Sequence, residues 1–250
     1  MIEGIRHAVS MENETQVERV LVVTAHPDDV DFGTAGSVAT WVSQGIDVSY
    51  CILTDGDAGG FDPSVPRDEI AGIRQSEQRA AAAAVGVTDV TFLGYPDGAL
   101  YVTHDLRRDI SREIRRVRPQ RVVSQSPERN FERVYASHPD HLAAGEATFC
   151  AVYPDARNPY AHLSLAEDGF EAWTVSEVWI MAGGNAGATA YVDITEAFDK
   201  KVDALRCHAS QVSHFDDLGG FLRQWAAGTA KSAGWEDGRL AEGFRVVNTA

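Results

Sequence analysis

Cysteine is scarce in this chain: Cys51, Cys150 and Cys207 are the only three in 250 residues. Their odd number and wide spacing argue against a disulfide framework and against a cysteine zinc site, so buried, reduced thiols are expected. Basic charge is also short. Lys and Arg total 22 against 37 Asp and Glu, a formal net charge of −15. A field of that sign repels phosphate backbones and anionic membrane surfaces, so nucleic acid is not an expected partner. No window holds the roughly 20 apolar residues that cross a bilayer, which argues against a membrane protein. The opening stretch MIEGIRHAVSMENETQVE is polar. It lacks the apolar core of a secretory leader, and a cytoplasmic location is the expectation. Internal repeats and low-complexity tracts are missing too.

What is there is an alternation. Leu21–Thr24 is a short β-branched apolar run that reads as a buried strand. Ala35, Val38, Trp41 and Val42 then recur at helical spacing, with Gly45 as a stop. Val48–Thr54, Val90–Leu93 and Arg121–Gln125 read as further strands. They are separated by an alanine-rich helix over Asp68–Val85 and a helix marked by Leu106, Ile110, Ile114 and Val117. Val175–Met181 and Ala190–Val192 continue the series, and Thr195 is placed to cap a helix carrying Phe198, Val202 and Leu205. Such an alternation predicts an α/β fold, a mostly parallel central sheet with helices on both faces and the active site at the C-terminal ends of the strands. One domain over 1–250 is expected, with its core from about 18 to 210. Residues 211–250, rich in Gly and Ala with isolated Trp225 and Trp235, read as an arm, a lid or a subunit contact.

Two loops carry the chemistry. The first strand ends in Ala25-His26-Pro27-Asp28-Asp29, an imidazole and two carboxylates within four residues. His26 and Asp29, three apart on a turn, can aim a nitrogen and an oxygen at one Zn²⁺ at about 2.0–2.2 Å. That leaves Asp28 as the candidate general base toward a metal-activated water. After the fourth strand comes Ser137-His138-Pro139-Asp140-His141. With His141 as third ligand the metal has two nitrogens, one carboxylate and an open position, a catalytic arrangement. His138 is then free to stabilise an oxyanion or pass a proton when protonated, with Asp140 holding its ring. Such a donor set also accepts Fe²⁺ or Co²⁺.

These residues resemble a known family, the PIG-L or LmbE-like zinc deacetylases that act on N-acetylglucosamine-containing molecules. The resemblance rests on AHPDDVDFG at Ala25–Gly33 and SHPDH at Ser137–His141, with TDGDAGG, IRQSEQRAAAAAVGV and FLGYPDG as weaker blocks between them. It implies a Rossmann-like α/β sandwich and one zinc on His26, Asp29 and His141. It also implies Asp28 as base and His138 as electrophile, and an N-acetylated amino sugar as the small-molecule substrate. Arg74 matches a family arginine that holds substrate hydroxyls, and Asp97 an acidic residue near the sugar. His208–Gln211 is similar to a family pattern following the late helix. Homo-oligomers are compatible with the resemblance.

Two departures stand out. Many members carry a glutamate directly after the two aspartates, where this chain has Val30 and then Asp31. Some sugar deacetylases carry a tyrosine two residues before the first histidine of the second motif, where this chain has Ala136, with Tyr135 one step earlier. The expected function is hydrolysis of an N-acyl group from an amino-sugar-containing small molecule. The alternatives are an amidase on a thiol conjugate or another non-sugar amide, and a non-catalytic metal-binding relative. A nucleotide-binding protein of the same topology is disfavoured, because His-Pro-Asp-Asp stands where a glycine-rich phosphate loop belongs.

Overall fold

A computed structural model describes residues 17–132, 134, 137–182 and 187–249. Seven strands form one sheet: β1 (Arg19–Thr24), β2 (Asp47–Thr54), β3 (Asp89–Tyr95), β4 (Arg121–Ser124), β5 (Glu177–Met181), β6 (Ala190–Asp193) and β7 (Ala241–Asn248). Their order is β3-β2-β1-β4-β5-β7-β6. The first five run parallel, and β7 runs antiparallel to both β5 and β6.

The continuous apolar run of β1 is explained by burial on both faces. Leu21 and Val23 enter one core, Val20 and Val22 the other. In β2, Cys51 and Leu53 share the first core, while Tyr50 and Ile52 share the second. On one face the sheet is covered by α3 (His104–Val117), through Leu106, Ile110 and Ile114, and by α4 (Pro139–Cys150), through Ala143, Ala144 and Ala147. On the other lie α1 (Asp29–Ser43) and α2 (Arg67–Ala84), through Val30, Ala35, Val38, Ala81 and Ala82. Each large aliphatic side chain buried this way contributes roughly 1.5–3 kcal/mol. The expected three-layer arrangement is the one observed. No helix among the described residues is long and apolar enough to cross a membrane.

Two expectations need correction. The segment 211–250 is no arm or lid. After the short α5 (Leu163–Glu167), α6 (Phe198–Arg206) and α7 (Ala209–Val212), it supplies α8 (Leu218–Ser232) and the strand β7. Leu218, Leu222 and Ala226 of α8 pack with Phe198, Val202 and Leu205 of α6 in a third cluster, and β7 fills the gap between β5 and β6. Its Glu242 is 6% exposed and binds Lys201 Nζ at 2.6 Å, together with the N–H groups of Gly36 and Ser37. Lys201 Nζ also donates to the carbonyls of Asp31 and Phe32. The C-terminal strand thereby anchors the first half of α1. Among the cysteines, all free, only Cys51 is fully buried; Cys150 and Cys207 are partly exposed.

Candidate metal centre

β1 and β4 are hydrogen-bonded neighbours, with Val20 opposite Arg121 and Val23 opposite Ser124. The loops that follow them therefore leave the sheet side by side. Gln125 Oε1 accepts the N–H of Ala25 at 2.9 Å and ties the two loops together. In α4, Pro139 occupies the first turn and His138 is the N-cap, so Asp140 and His141 sit at the helix start. Gly145, one turn beyond His141, lets α4 close on the loop: a Cβ there would meet the Gln125 carbonyl at 2.5 Å.

Donor atoms of three residues converge. His26 Nδ1 lies 3.2 Å from His141 Nε2 and 3.2 Å from Asp29 Oδ2, and His141 Nε2 lies 3.0 Å from Asp29 Oδ1. Edges of this length are close to the roughly 3.3 Å between neighbouring ligands of a tetrahedral zinc site with bonds near 2.0 Å. The other nitrogen of His26, Nε2, faces Asp97 Oδ1 at 3.1 Å and Asp140 Oδ2 at 3.3 Å. Two carboxylates at Nε2 favour a proton there, while Nδ1 faces the Asp29 carboxylate and His141. Electron-rich atoms so close are held together by a positive charge among them, supplied by a proton on an imidazole or by a bound cation. Burial opposes charge on His26, yet Asp140, Asp29 and Asp97 together push its pKa up to about 12. Burial likewise works against the Asp29 carboxylate, and His141 and His26 beside it hold it well below the usual range. Two imidazole nitrogens and a carboxylate at these spacings fit a divalent cation.

Asp28 precedes α1 with φ 94°, the left-handed region, and makes no side-chain cap bond to the helix. A non-glycine residue held there costs on the order of 1–3 kcal/mol. Burial raises its carboxyl, partly countered by Arg74, to about 6. Arg74 Nη2 reaches Asp28 Oδ2 at 3.1 Å and also donates to the Pro27 carbonyl, while Nη1 donates to the Gly56 carbonyl at 3.1 Å. His138 stands beside the triad, its ring centroid 4.8 Å from that of His26. Its Nδ1 accepts the N–H of Asp140 at 3.2 Å, which leaves the ring proton on Nε2. Burial lowers its pKa, and the neighbouring His26 and His141 lower it further. The neutral ring is the favoured form, as a donor rather than the protonated species expected from sequence.

The remaining candidates are placed differently from expectation. Asp140 holds the His138 ring through its N–H and not through its carboxylate, which accepts from His26 Nε2 and from the N–H groups of Gly98 and Leu100. Carboxylate oxygens reach His26 more readily because Asp140 lies in the first turn of α4, facing β1. Asp97, expected beside a sugar, is 9% exposed and faces His26. Arg74, expected on substrate hydroxyls, is 4% exposed, with its guanidinium turned to Asp28 and main-chain carbonyls. Tyr135 and Ala136 lie outside the described residues.

Several partners were not predicted from sequence. Asp31, 0% exposed, accepts from Gln78 Nε2 at 2.8 Å and His208 Nε2 at 2.9 Å. Ser210 donates through N and Oγ to Glu77 of α2 at 2.8 and 2.6 Å. The His208–Gln211 stretch is thereby joined to the site. A cavity of about 510 Å³ opens at the ends of β2 and β3, lined by Asp55, Asp57, Arg67, Asp68, Gly94 and Pro96. Asp55, Asp57 and Arg67 belong to the stretch that follows β2, where substrate specificity is expected from sequence.

Comparison with known proteins gives a consistent picture. The family model PIG-L, described as GlcNAc-PI de-N-acetylase, matches residues 21–152. A diacetylchitobiose deacetylase of Thermococcus kodakarensis is 32% identical over 233 residues, covering 92% of this chain and 84% of the relative. The structure of N,N'-diacetylchitobiose deacetylase from Pyrococcus horikoshii, complexed with its inhibitor MPG, superposes with a TM-score of 0.83 at 28% identity. It covers 94% of this chain and 85% of that one. The 4-carboxy-2-hydroxymuconate hydratase GalB of Pseudomonas putida superposes at 0.76 with 22% identity, covering 92% and 96%. At that identity the likeness is one of fold alone, a fold that carries more than one chemistry.

Proposed function

Since this chain belongs to the PIG-L family of de-N-acetylases, we propose that it is a zinc-dependent hydrolase that removes the N-acetyl group of an amino-sugar-containing small molecule. The observation that carries this reading is the convergence of His26 Nδ1, the Asp29 carboxylate and His141 Nε2, with contacts of 3.0–3.2 Å, beside the Asp28 carboxylate held by Arg74. His26, Asp29 and His141 would hold the metal, and Asp97 and Asp140 would orient His26 from behind.

A bound divalent cation supplies Lewis acidity toward the acyl oxygen and makes water acidic enough to lose a proton near neutral pH. The Asp28 carboxylate accepts that proton, kept in place by Arg74. Hydroxide adds to the acyl carbon, and the His138 Nε2–H donates a hydrogen bond to the oxygen that gains charge. The carbon–nitrogen bond then breaks as the proton held by Asp28 passes to the departing nitrogen. Acetate and the free amine are the products. The cavity lined by Asp55, Asp57 and Arg67 offers acceptors and donors for sugar hydroxyls.

The deciding experiment incubates the purified protein with N-acetylglucosamine and with N,N'-diacetylchitobiose, and reads acetate and free amine. Release from either substrate that is abolished by a chelator and restored by Zn²⁺ is the expected result. Release absent with both, from protein that binds about one zinc per chain, would turn the search to non-sugar amides.

A further inference from the structure

The base of the proposed reaction sits in a backbone conformation that side chains rarely adopt, and α2 holds it there. Arg74 and Gln78 lie four apart on α2, which puts them on one face of the helix. Arg74 Nη2 donates to the Pro27 carbonyl, and Gln78 Oε1 accepts the Asp28 N–H at 2.8 Å. The carbonyl and the N–H belong to the same peptide unit, so its plane is gripped at both ends. Rotation of that plane is the motion by which Asp28 would leave φ 94°, and it would carry the carboxylate away.

The grip of Gln78 is itself secured. Its Nε2 donates to Asp31 Oδ2 at 2.8 Å, and the same oxygen takes His208 Nε2 at 2.9 Å. An N–H on one side and a carboxylate on the other admit only one orientation of the amide. Gln78, Asp31 and His208 are each 0% exposed, so water is not at hand to replace a missing partner. We infer that Gln78, braced by Asp31 and His208, is the positioning residue of Asp28, fixing the Pro27–Asp28 peptide plane so that the carboxylate faces the reacting water. This rests on the assignment of Asp28 as base; the peptide clamp itself does not need it.

Gln78→Met keeps the length and removes the acceptor. The expected result is a fall in kcat of about tenfold or more, with KM within about twofold. Bound metal should stay unchanged, and the Asp28 amide should exchange with deuterium at least about tenfold faster while the β1 amides keep their protection. An unchanged kcat, or an Asp28 amide still protected, overturns the inference. Should Gln78→Met fail to fold, His208→Leu and His208→Gln replace it. Gln restores a donor to Asp31 and is expected to recover most of the rate lost in the Leu variant; equal rates in the two overturn the inference. Asp28→Asn separates the two claims. Full activity in that variant removes the assigned base, whereas the exchange of the Asp28 amide in Gln78→Met still decides whether the clamp exists.

Discussion

His26 Nδ1 and His141 Nε2, 115 positions apart in the chain, face each other at 3.2 Å with the Asp29 carboxylate closing the triangle. Without a cation between them, this contact must be relieved by a proton or by movement. Metal removal is therefore expected to lower the melting temperature, and Zn²⁺ at 100 times its Kd to return about 2.7 kcal/mol. Thermal scans with and without chelator measure this; coincident curves would show that the triangle holds no metal.

Asp140 supports His26 through its far nitrogen and ties α4 to Gly98 and Leu100. Asp140→Asn is expected to weaken metal affinity by about 10–100-fold, with Asp97 retaining part of the support. Competition against a zinc-chelating dye reads the affinity. A variant that binds as tightly as the parent would move the support of His26 to Asp97 alone.

Burial raises the Asp28 carboxyl to about 6, so it protonates and ceases to be a base as pH falls through that value. Arg74 already counters the rise, and the charge of a bound cation lowers it further. The acid limb of kcat/KM is therefore expected at or below about pH 6. A pH–rate profile locates it, and a limb above pH 7 assigns the base to another group.

Lys201 and Glu242 form a buried pair whose remaining bonds go to the main chain of α1. Lys201→Met leaves Glu242 charged and short of a partner. A loss of about 3–5 kcal/mol is expected, read by urea denaturation. A loss below about 1 kcal/mol would mean that Glu242 reaches solvent or takes up a proton at little cost.

Much of this molecule was legible from local pattern. The parallel strands announced themselves as apolar runs because both of their faces are buried, as the division of Val20–Val23 between two cores shows. The legibility failed at β7, whose Glu242 and Arg245 interrupt the apolar run and whose partners lie on strands more than 45 residues earlier. It failed also at α8, where the buried face is built from Leu218, Leu222, Ala226 and Ala230 among glycines. The missing glutamate after the two aspartates was visible, but not that Asp31 lies buried between Gln78 and His208.

By itself the sequence determined that the chain alternates strand and helix, that two histidine–aspartate loops follow the first and fourth strands, and that these loops offer candidate metal donors in His26, Asp29 and His141. These follow from residue type and short spacing. Only the tertiary structure decided what the other polar residues face. Asp140 and Asp97 turn to His26, and Arg74 and Gln78 hold the peptide before Asp28. Such roles are set by which strand lies beside which and how closely helices approach. A buried carboxylate or guanidinium takes the partner that packing puts within reach, and spacing along the chain does not encode that partner.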